Sequence, residues 1–281
     1  MNAPGPLDGD GAIVYRYAHA THRGMVREQN EDAIAIAPRS GLAIVADGMG
    51  GYNAGEVASR LAADFLMTHL VEDLAQLRDG AARSTAGPDH SHRMLHALLR
   101  ARIDGANEAI IDAASREPEC EGMGTTLAML LFSQDAATTL HLGDSRIYRF
   151  RNGVLSLLTR DHSLLQEQID SGLITAEQAA FSSNKNLVTR AVGVEDTVLL
   201  ETHLHDVMPG DVYLLCSDGL SDMIDDETIS QLLQSCELLP EAANALVDAA
   251  NEAGGKDNIS VVLVRVRGPA GAARSWWPFR R

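Results

Sequence analysis

Apolar positions along the chain come in two rhythms. Short unbroken runs, such as Leu42-Ala-Ile-Val-Ala46 and Val212-Tyr-Leu-Leu-Cys216, leave no polar face and predict strands buried on both sides. The first of these is expected to end at Asp47. Elsewhere the apolar residues recur at spacings of three and four. Val57, Leu61 and Phe65, with Ala58, Ala62 and Leu66 beside them, predict one amphipathic helix before Arg78. Leu95, Leu99, Ile103, Ala106 and Ile110 predict a second, ending before Pro118. A Gly/Ser/Pro-rich interruption from Gly80 to Ser91 separates the two.

The remaining pattern is denser in strands. Ile13 to Ala20 reads as an exposed strand, and Thr21 to Arg27 as a polar loop. Segments Thr125–Phe132, Ala136–Leu142, Ser145–Phe150 and Val154–Leu158 predict an antiparallel meander, with tight turns at Gln134-Asp135 and Asn152-Gly153. From Asp161 to Asn186 the chain is polar and weakly helical. Strands follow near Val198–Leu204 and Asp211–Cys216, then helices at Thr228–Leu233 and Glu241–Glu252, then a strand from Ile259 to Val264. Pairs of helices separated by runs of strands imply an α+β protein, a four-layer αββα sandwich of two antiparallel sheets flanked by helices.

Composition narrows the function. A 281-residue chain with 45% hydrophobic residues can bury one large core, and a net charge of −16 disfavours a nucleic-acid backbone as partner while favouring cations. Cys120, Cys216 and Cys236 are few and unpatterned, which indicates neither a disulfide framework nor a zinc ribbon and fits a cytoplasmic protein. Residues 1–11 have neither the basic nor the apolar region of a signal peptide and are expected to be disordered. No apolar run approaches membrane-spanning length. The tail from residue 268 to 281 is basic and contains Trp276 and Trp277, features suited to contact with a partner or a membrane surface, or to packing on its own domain.

Four acids stand at strand ends: Asp32, Asp47, Asp218 and Asp257. Each alone is ordinary turn chemistry. Together they suggest convergence, and converging carboxylates repel one another unless cations neutralise them. Aspartate and carbonyl oxygens are ligands for hard ions, so Mg²⁺ or Mn²⁺ is indicated. Two such ions sharing a carboxylate would ionise a water and aim it at a neighbouring electrophile. Arg27, just ahead of Glu31 and Asp32, offers the bidentate guanidinium that suits a phosphate monoester.

Six segments carry a family resemblance: Arg27-Glu-Gln-Asn-Glu-Asp32, Ala46-Asp-Gly-Met-Gly-Gly51, Gly122-Met-Gly-Thr-Thr126, His141-Leu-Gly-Asp-Ser-Arg146, Cys216-Ser-Asp-Gly-Leu-Ser-Asp222 and Gly255-Lys-Asp-Asn258. In that order they resemble the motifs of the metal-dependent protein phosphatases of the 2C type, in the bacterial serine/threonine branch. The resemblance spans Tyr17 to Val266. It implies a catalytic domain over 12–267, with a small flap at about 161–186 that helps choose substrates.

Carried over by residue, the resemblance implies that Asp47 bridges two tightly bound Mn²⁺ or Mg²⁺ ions. The Gly48 carbonyl, Asp32, Asp218 and Asp257 would complete their coordination. Asp144 would hold a third, weaker ion with Asp218 and Asp222. Glu31 would stand behind the ligands, Asn258 would orient Asp257, and Arg27 would grip the phosphoryl group. Family members from higher organisms often carry a histidine after the Asp-Gly pair as proton donor, whereas this chain has Met49. A water on the metal, His162, or one of His90, His92 and His96 is then the candidate acid.

The implied activity is hydrolysis of phosphoserine and phosphothreonine in proteins, reversing a bacterial Ser/Thr kinase, by a monomer. Partners would be that kinase and its substrates. Two alternatives share the fold: a phosphatase acting on an anti-sigma antagonist, and a non-catalytic module that binds phosphoproteins. A cysteine-based phosphatase is excluded, since Thr126, Asp222 and Ala242 stand where its arginine would follow each cysteine.

Overall fold

The computed structural model describes residues 13–51, 54–83, 88–133, 136–175, 178–179 and 187–268. The tail with Trp276 and Trp277, residues 1–11, the turn at 134–135 and part of the flap lie outside them. Two antiparallel sheets lie face to face with helices outside, as the αββα expectation required.

One sheet has the order β1–β11–β10–β7–β8: β1 (Val14–His22), β11 (Ile259–Arg267), β10 (Val212–Cys216), β7 (Arg146–Arg151) and β8 (Val154–Leu157). The other runs β2–β3–β5–β6–β9: β2 (Asp32–Ala37), β3 (Leu42–Met49), β5 (Leu127–Ser133), β6 (Ala136–Leu142) and β9 (Glu201–Asp206), with the short β4 (Gly124–Thr125) also paired to β3. Helices α1 (Ala54–Arg83) and α2 (Pro88–Arg116) cover the second sheet. Helices α4 (Asp218–Ser221), α5 (Asp226–Ser235) and α6 (Leu239–Glu252) cover the first, and α3 (Leu164–Asp170) lies in the flap.

The unbroken apolar runs now have a physical reason. In β3, Leu42 and Ile44 face α1 and α2 while Ala43 and Val45 face the opposite sheet. In β10, Leu214 and Cys216 face α5 and α6 while Tyr213 and Leu215 face inward. Each strand is solvated on neither face, and each buried aliphatic side chain contributes about 1.5–3 kcal/mol.

Several local expectations are corrected. The buried strand passes Asp47 and ends at Met49, because Gly48 and Met49 pair with Thr125 and Gly124 of β4. Helix α1 continues through Gly80 to Arg83, and α2 begins at Pro88, so the interruption expected from Gly80 to Ser91 is shorter than its composition suggested. The predicted meander is two hairpins in different sheets, β5–β6 and β7–β8. The Asn152-Gly153 turn has positive φ at both residues, 52° and 81°, as a tight hairpin needs. Strand β9 begins at Glu201 rather than near Val198.

Candidate metal and phosphate site

The site forms where strand ends from both sheets meet. Asp32 opens β2 and Asp47 lies near the end of β3, directly opposite in the antiparallel register. From the other sheet come Asp218, one residue beyond Ser217 at the end of β10, and Asp257, two residues before β11. Asp144 sits where the chain crosses from β6 to β7. That crossing requires glycine: Gly143 has φ +96°, and a Cβ on it would lie 2.7 Å from Thr126 Cγ2.

These acids feel one another. Burial first, and then the charges of Asp32, Asp218, Asp144 and Asp257, hold the Asp47 carboxyl well above the usual range. Asp218 is raised in the same way by burial and by Asp144, Asp257, Asp222 and Asp32. Burial pushes Asp32 up to about 6, against the opposing hydrogen bonds of Ser260 and Ser217. Asp144 is likewise pushed up to about 6 by burial and Asp161, and further by Asp222. Glu31 is raised chiefly by burial, against the Arg27 charge.

The residues fit a divalent cation. Asp32 Oδ1 and Asp218 Oδ1 are buried and have no hydrogen-bond partner among the described residues. Two orphaned carboxylate oxygens in a cluster of all-oxygen donors leave ligand positions for a hard ion. Gly48 meets the requirement for close approach: a Cβ there would lie 2.0 Å from Gly55 O, at the start of α1.

Hydrogen bonds hold these groups in place. Ser217 Oγ donates to Asp32 Oδ2 at 2.8 Å and accepts from Ser260 N at 3.0 Å. The Asp47 amide donates to Thr126 Oγ1 at 3.0 Å, and Asp47 O accepts from Thr126 N at 2.8 Å. Glu31 acts mainly through its backbone: its carbonyl accepts from Ser59 Oγ at 2.6 Å and from Gly48 N at 3.2 Å. Its amide donates to Asn258 Oδ1 at 2.7 Å. The Asn258 side chain also donates to Arg23 O at 2.9 Å and Gln29 O at 2.8 Å. Asn258 touches Asp257 through its own amide, which donates to Asp257 Oδ1 at 2.8 Å. Its side chain therefore organises the loop carrying Arg27. Ser217, Thr126 and Ser59 have supporting contacts that sequence reasoning did not assign; the first two sit inside the quoted motifs, which was the available signal.

Arg27 reaches the cluster from the rim. Its Nη2 lies 2.7 Å from Asp257 Oδ2, with the Arg27 side chain half exposed. Farther along, a cavity of about 270 Å³ is bounded by Asp144, Asp218 and Asp222 on one side and by Leu165, Gln166 and Ile169 of α3 on the other. Arg146 pairs with Asp161 at 2.7 Å on its edge.

Of the candidate histidines, His162 is already engaged in hydrogen bonds, and His92 and His96 lie away from the acids. The Gly143 amide donates to His162 Nδ1 at 3.2 Å, which leaves the ring proton on Nε2, 3.2 Å from Glu201 Oε2. His162 also stacks on His141, with ring centroids 4.5 Å apart. Burial lowers both imidazoles below their ordinary range. The two rings and Glu201 gather potential ligand atoms within 4.8 Å, but His141 Nε2 already meets Arg160 O at 2.8 Å and His162 Nε2 meets Glu201. His92 and His96 line a different cavity, between α2 and β9.

An αββα sandwich with an acid cluster at the shared edge of its two sheets defines the architecture of the metal-dependent phosphatases. Comparison with known proteins makes the assignment specific: residues 18–251 match the family model of protein phosphatase 2C. The chain belongs to that family. It is 40% identical over 257 residues to serine/threonine protein phosphatase PstP of Mycobacterium tuberculosis, a match covering 90% of this chain and 45% of that protein. It thus spans about half the length of that relative. It is 37% identical to serine/threonine phosphatase stp of Listeria monocytogenes, covering 87% of this chain and 93% of that one. The crystal structure of the PstP catalytic domain in complex with two manganese ions superposes with a TM-score of 0.75 at 39% identity, covering 91% of this chain and 99% of that domain.

Proposed function

We propose that this chain is a divalent-metal-dependent phosphatase that hydrolyses phosphoserine and phosphothreonine in proteins. The observation that carries the reading is the pair of orphaned oxygens on Asp32 and Asp218 beside Asp47, with the Arg27 guanidinium 2.7 Å from Asp257 at the rim. Asp47, the Gly48 carbonyl, Asp32, Asp218 and Asp257 would hold two ions, Mn²⁺ or Mg²⁺, and Asp144, Asp218 and Asp222 a third. When bound, such ions make water a stronger nucleophile and offset the charge that develops on phosphoryl oxygens.

The side chains have distinct tasks. Arg27 donates to the non-bridging oxygens of the phosphoryl group and fixes its orientation. Ser217 orients the Asp32 carboxylate and Thr126 fixes the backbone of Asp47, so that both residues meet the ligand with less reorganisation. Asn258 keeps the Arg23–Glu31 loop at the right height above Asp257. At the rim of the acid cluster, Arg27 would serve as a cationic handle for the substrate anion. The substrates would be phosphoproteins made by a Ser/Thr kinase. Among the described residues, no helix is long and apolar enough to cross a membrane.

The test is phosphate release from a phosphothreonine peptide by metal-stripped protein, before and after adding Mn²⁺, with a phosphotyrosine peptide and Asp47→Asn alongside. Release that needs metal, favours phosphothreonine and disappears in the variant supports the reading. Folded protein that releases no phosphate from any phosphopeptide with metal overturns it.

A further inference from the structure

We infer that Met25 and Val26 form an apolar recognition step for the substrate residues next to the phosphorylated one, so that apolar neighbours are favoured. The inference rests on the phosphatase reading and deepens it by naming a substrate feature. Met25 and Val26 are 67% and 66% exposed, immediately ahead of Arg27. A lone exposed apolar residue needs no explanation, but two together on the lip of a charged site do.

Their backbone is clamped, so the exposure does not come from a loose loop. The Met25 amide donates to Gly255 O at 2.7 Å, and the Gly24 amide to His22 Nδ1 at 3.0 Å. Asn258 holds the loop at Arg23 and Gln29, and Glu31 N closes it on Asn258 Oδ1. Gly24, at φ +80°, passes so close to the opposite loop that a Cβ would lie 2.2 Å from Asp257 O. Met25 rests on that loop too, since a Cβ on Gly255 would lie 2.8 Å from Met25 Cγ. Met25 and Asp257 thus share one lip of the site, with Arg27 paired to the same aspartate. A chain delivering its phosphate to Arg27 must lay its adjacent residues over this lip. The occupant is an extended phosphopeptide, and the net charge of −16 disfavours acidic neighbours in it.

Two phosphothreonine peptides test the inference, identical except for Leu or Ser on both sides of the phosphothreonine. With Mn²⁺, the wild-type chain should hydrolyse the Leu peptide with about tenfold higher kcat/KM, carried by KM, as burial of small apolar increments allows. In the Met25→Ser/Val26→Ser variant the two peptides should differ by less than about twofold. General structural damage would slow both peptides alike and leave the ratio intact. A wild-type chain indifferent to the neighbours, or a variant that keeps the full preference, overturns the inference. Fluorescence anisotropy of both peptides on Asp47→Asn reads the same preference without turnover. Equal affinities there count against the lip, whereas absence of turnover in the wild type counts against the phosphatase reading.

Discussion

Asp32 and Asp47 occupy directly opposed positions on neighbouring antiparallel strands, β2 and β3. Like charges facing each other across a ladder destabilise a sheet. Here they are compounded by burial and by Asp218, so that the fold carries an electrostatic cost wherever no cation is bound. The cost follows directly from the placement of the site at the strand ends.

Asp47→Asn should separate stability from activity. Removing one charge relieves repulsion from four neighbouring acids. The metal-free variant is therefore expected to melt at a higher temperature than metal-free wild type. Metal-dependent turnover should fall by at least ~10³-fold, the scale of several kcal/mol of lost charge stabilisation. Calorimetry of stripped proteins, alongside phosphate release with Mn²⁺, reads both. A variant less stable than wild type would contradict the repulsion argument.

The same acids fix the sign of the pH dependence. Asp32 and Asp144 are pushed up to about 6 in the fold, against an ordinary 3.8. A raised carboxyl binds its proton more tightly in the folded state, so its contribution is fully present below the ordinary value and lost as pH rises through about 6. Metal-free protein should therefore gain stability from these groups as pH falls from 7.5 to 5. With saturating Mn²⁺ the trend should reverse, because protons compete with the ion for the same oxygens. Melting temperatures at several pH values, with and without Mn²⁺, decide it.

How much of this was legible beforehand depended on the kind of information. The unbroken runs at Leu42 and Val212 identified buried strands because both faces of each are covered, and the four acids were visible at their ends. Which strands pair was not legible, since antiparallel register is set by contacts distant in sequence. The facing of Asp32 and Asp47 is one such case, and the split of the meander into two sheets at Asp144 is another. Composition misled at Gly80, where α1 runs on to Arg83 in spite of a local cost of about 1 kcal/mol for glycine in a helix. Ser217 and Thr126 stood inside recognised motifs, but a hydroxyl's partner is a matter of geometry.

Ser217→Ala tests that geometry. The hydroxyl links Asp32 Oδ2 to the Ser260 amide, joining β2 of one sheet to β11 of the other. Its loss should leave the fold intact, at a cost of about 1–3 kcal/mol for the bonds forgone. The apparent Mn²⁺ affinity should fall by roughly 10–100-fold, as for other residues that orient a ligand. Titration calorimetry with Mn²⁺ measures this directly. Unchanged affinity would mean that Asp32 needs no orienting partner.

Arg27→Ala should act on substrate rather than on the fold. The guanidinium and Asp257 form a pair open to solvent, so its removal should change stability by less than about 1 kcal/mol. The loss should fall on phosphate binding, with KM for a phosphothreonine peptide rising on the order of tenfold and kcat falling less. Arg27→Lys should recover only part of that, because a point charge cannot match two phosphoryl oxygens at once. An unchanged KM in the alanine variant would remove Arg27 from the binding step and return it to holding Asp257.

Asp144 offers the sharpest separation within the acid cluster. It reaches the site from the β6–β7 crossing and shares a cavity with Asp218 and Asp222 beside α3, whereas Asp32 and Asp47 lie on adjoining strands. An ion held there would share Asp218 with the other acids, and the family resemblance implies that it is the weaker one. Asp144→Ala should therefore lower turnover and raise the Mn²⁺ concentration for half-maximal rate, while the tighter binding events keep their affinity and stoichiometry. Calorimetric titration against a rate-versus-metal curve distinguishes the outcomes. If instead the tight binding is lost with Asp144, the acids form a single centre and the division into a tight pair and a weak third ion fails.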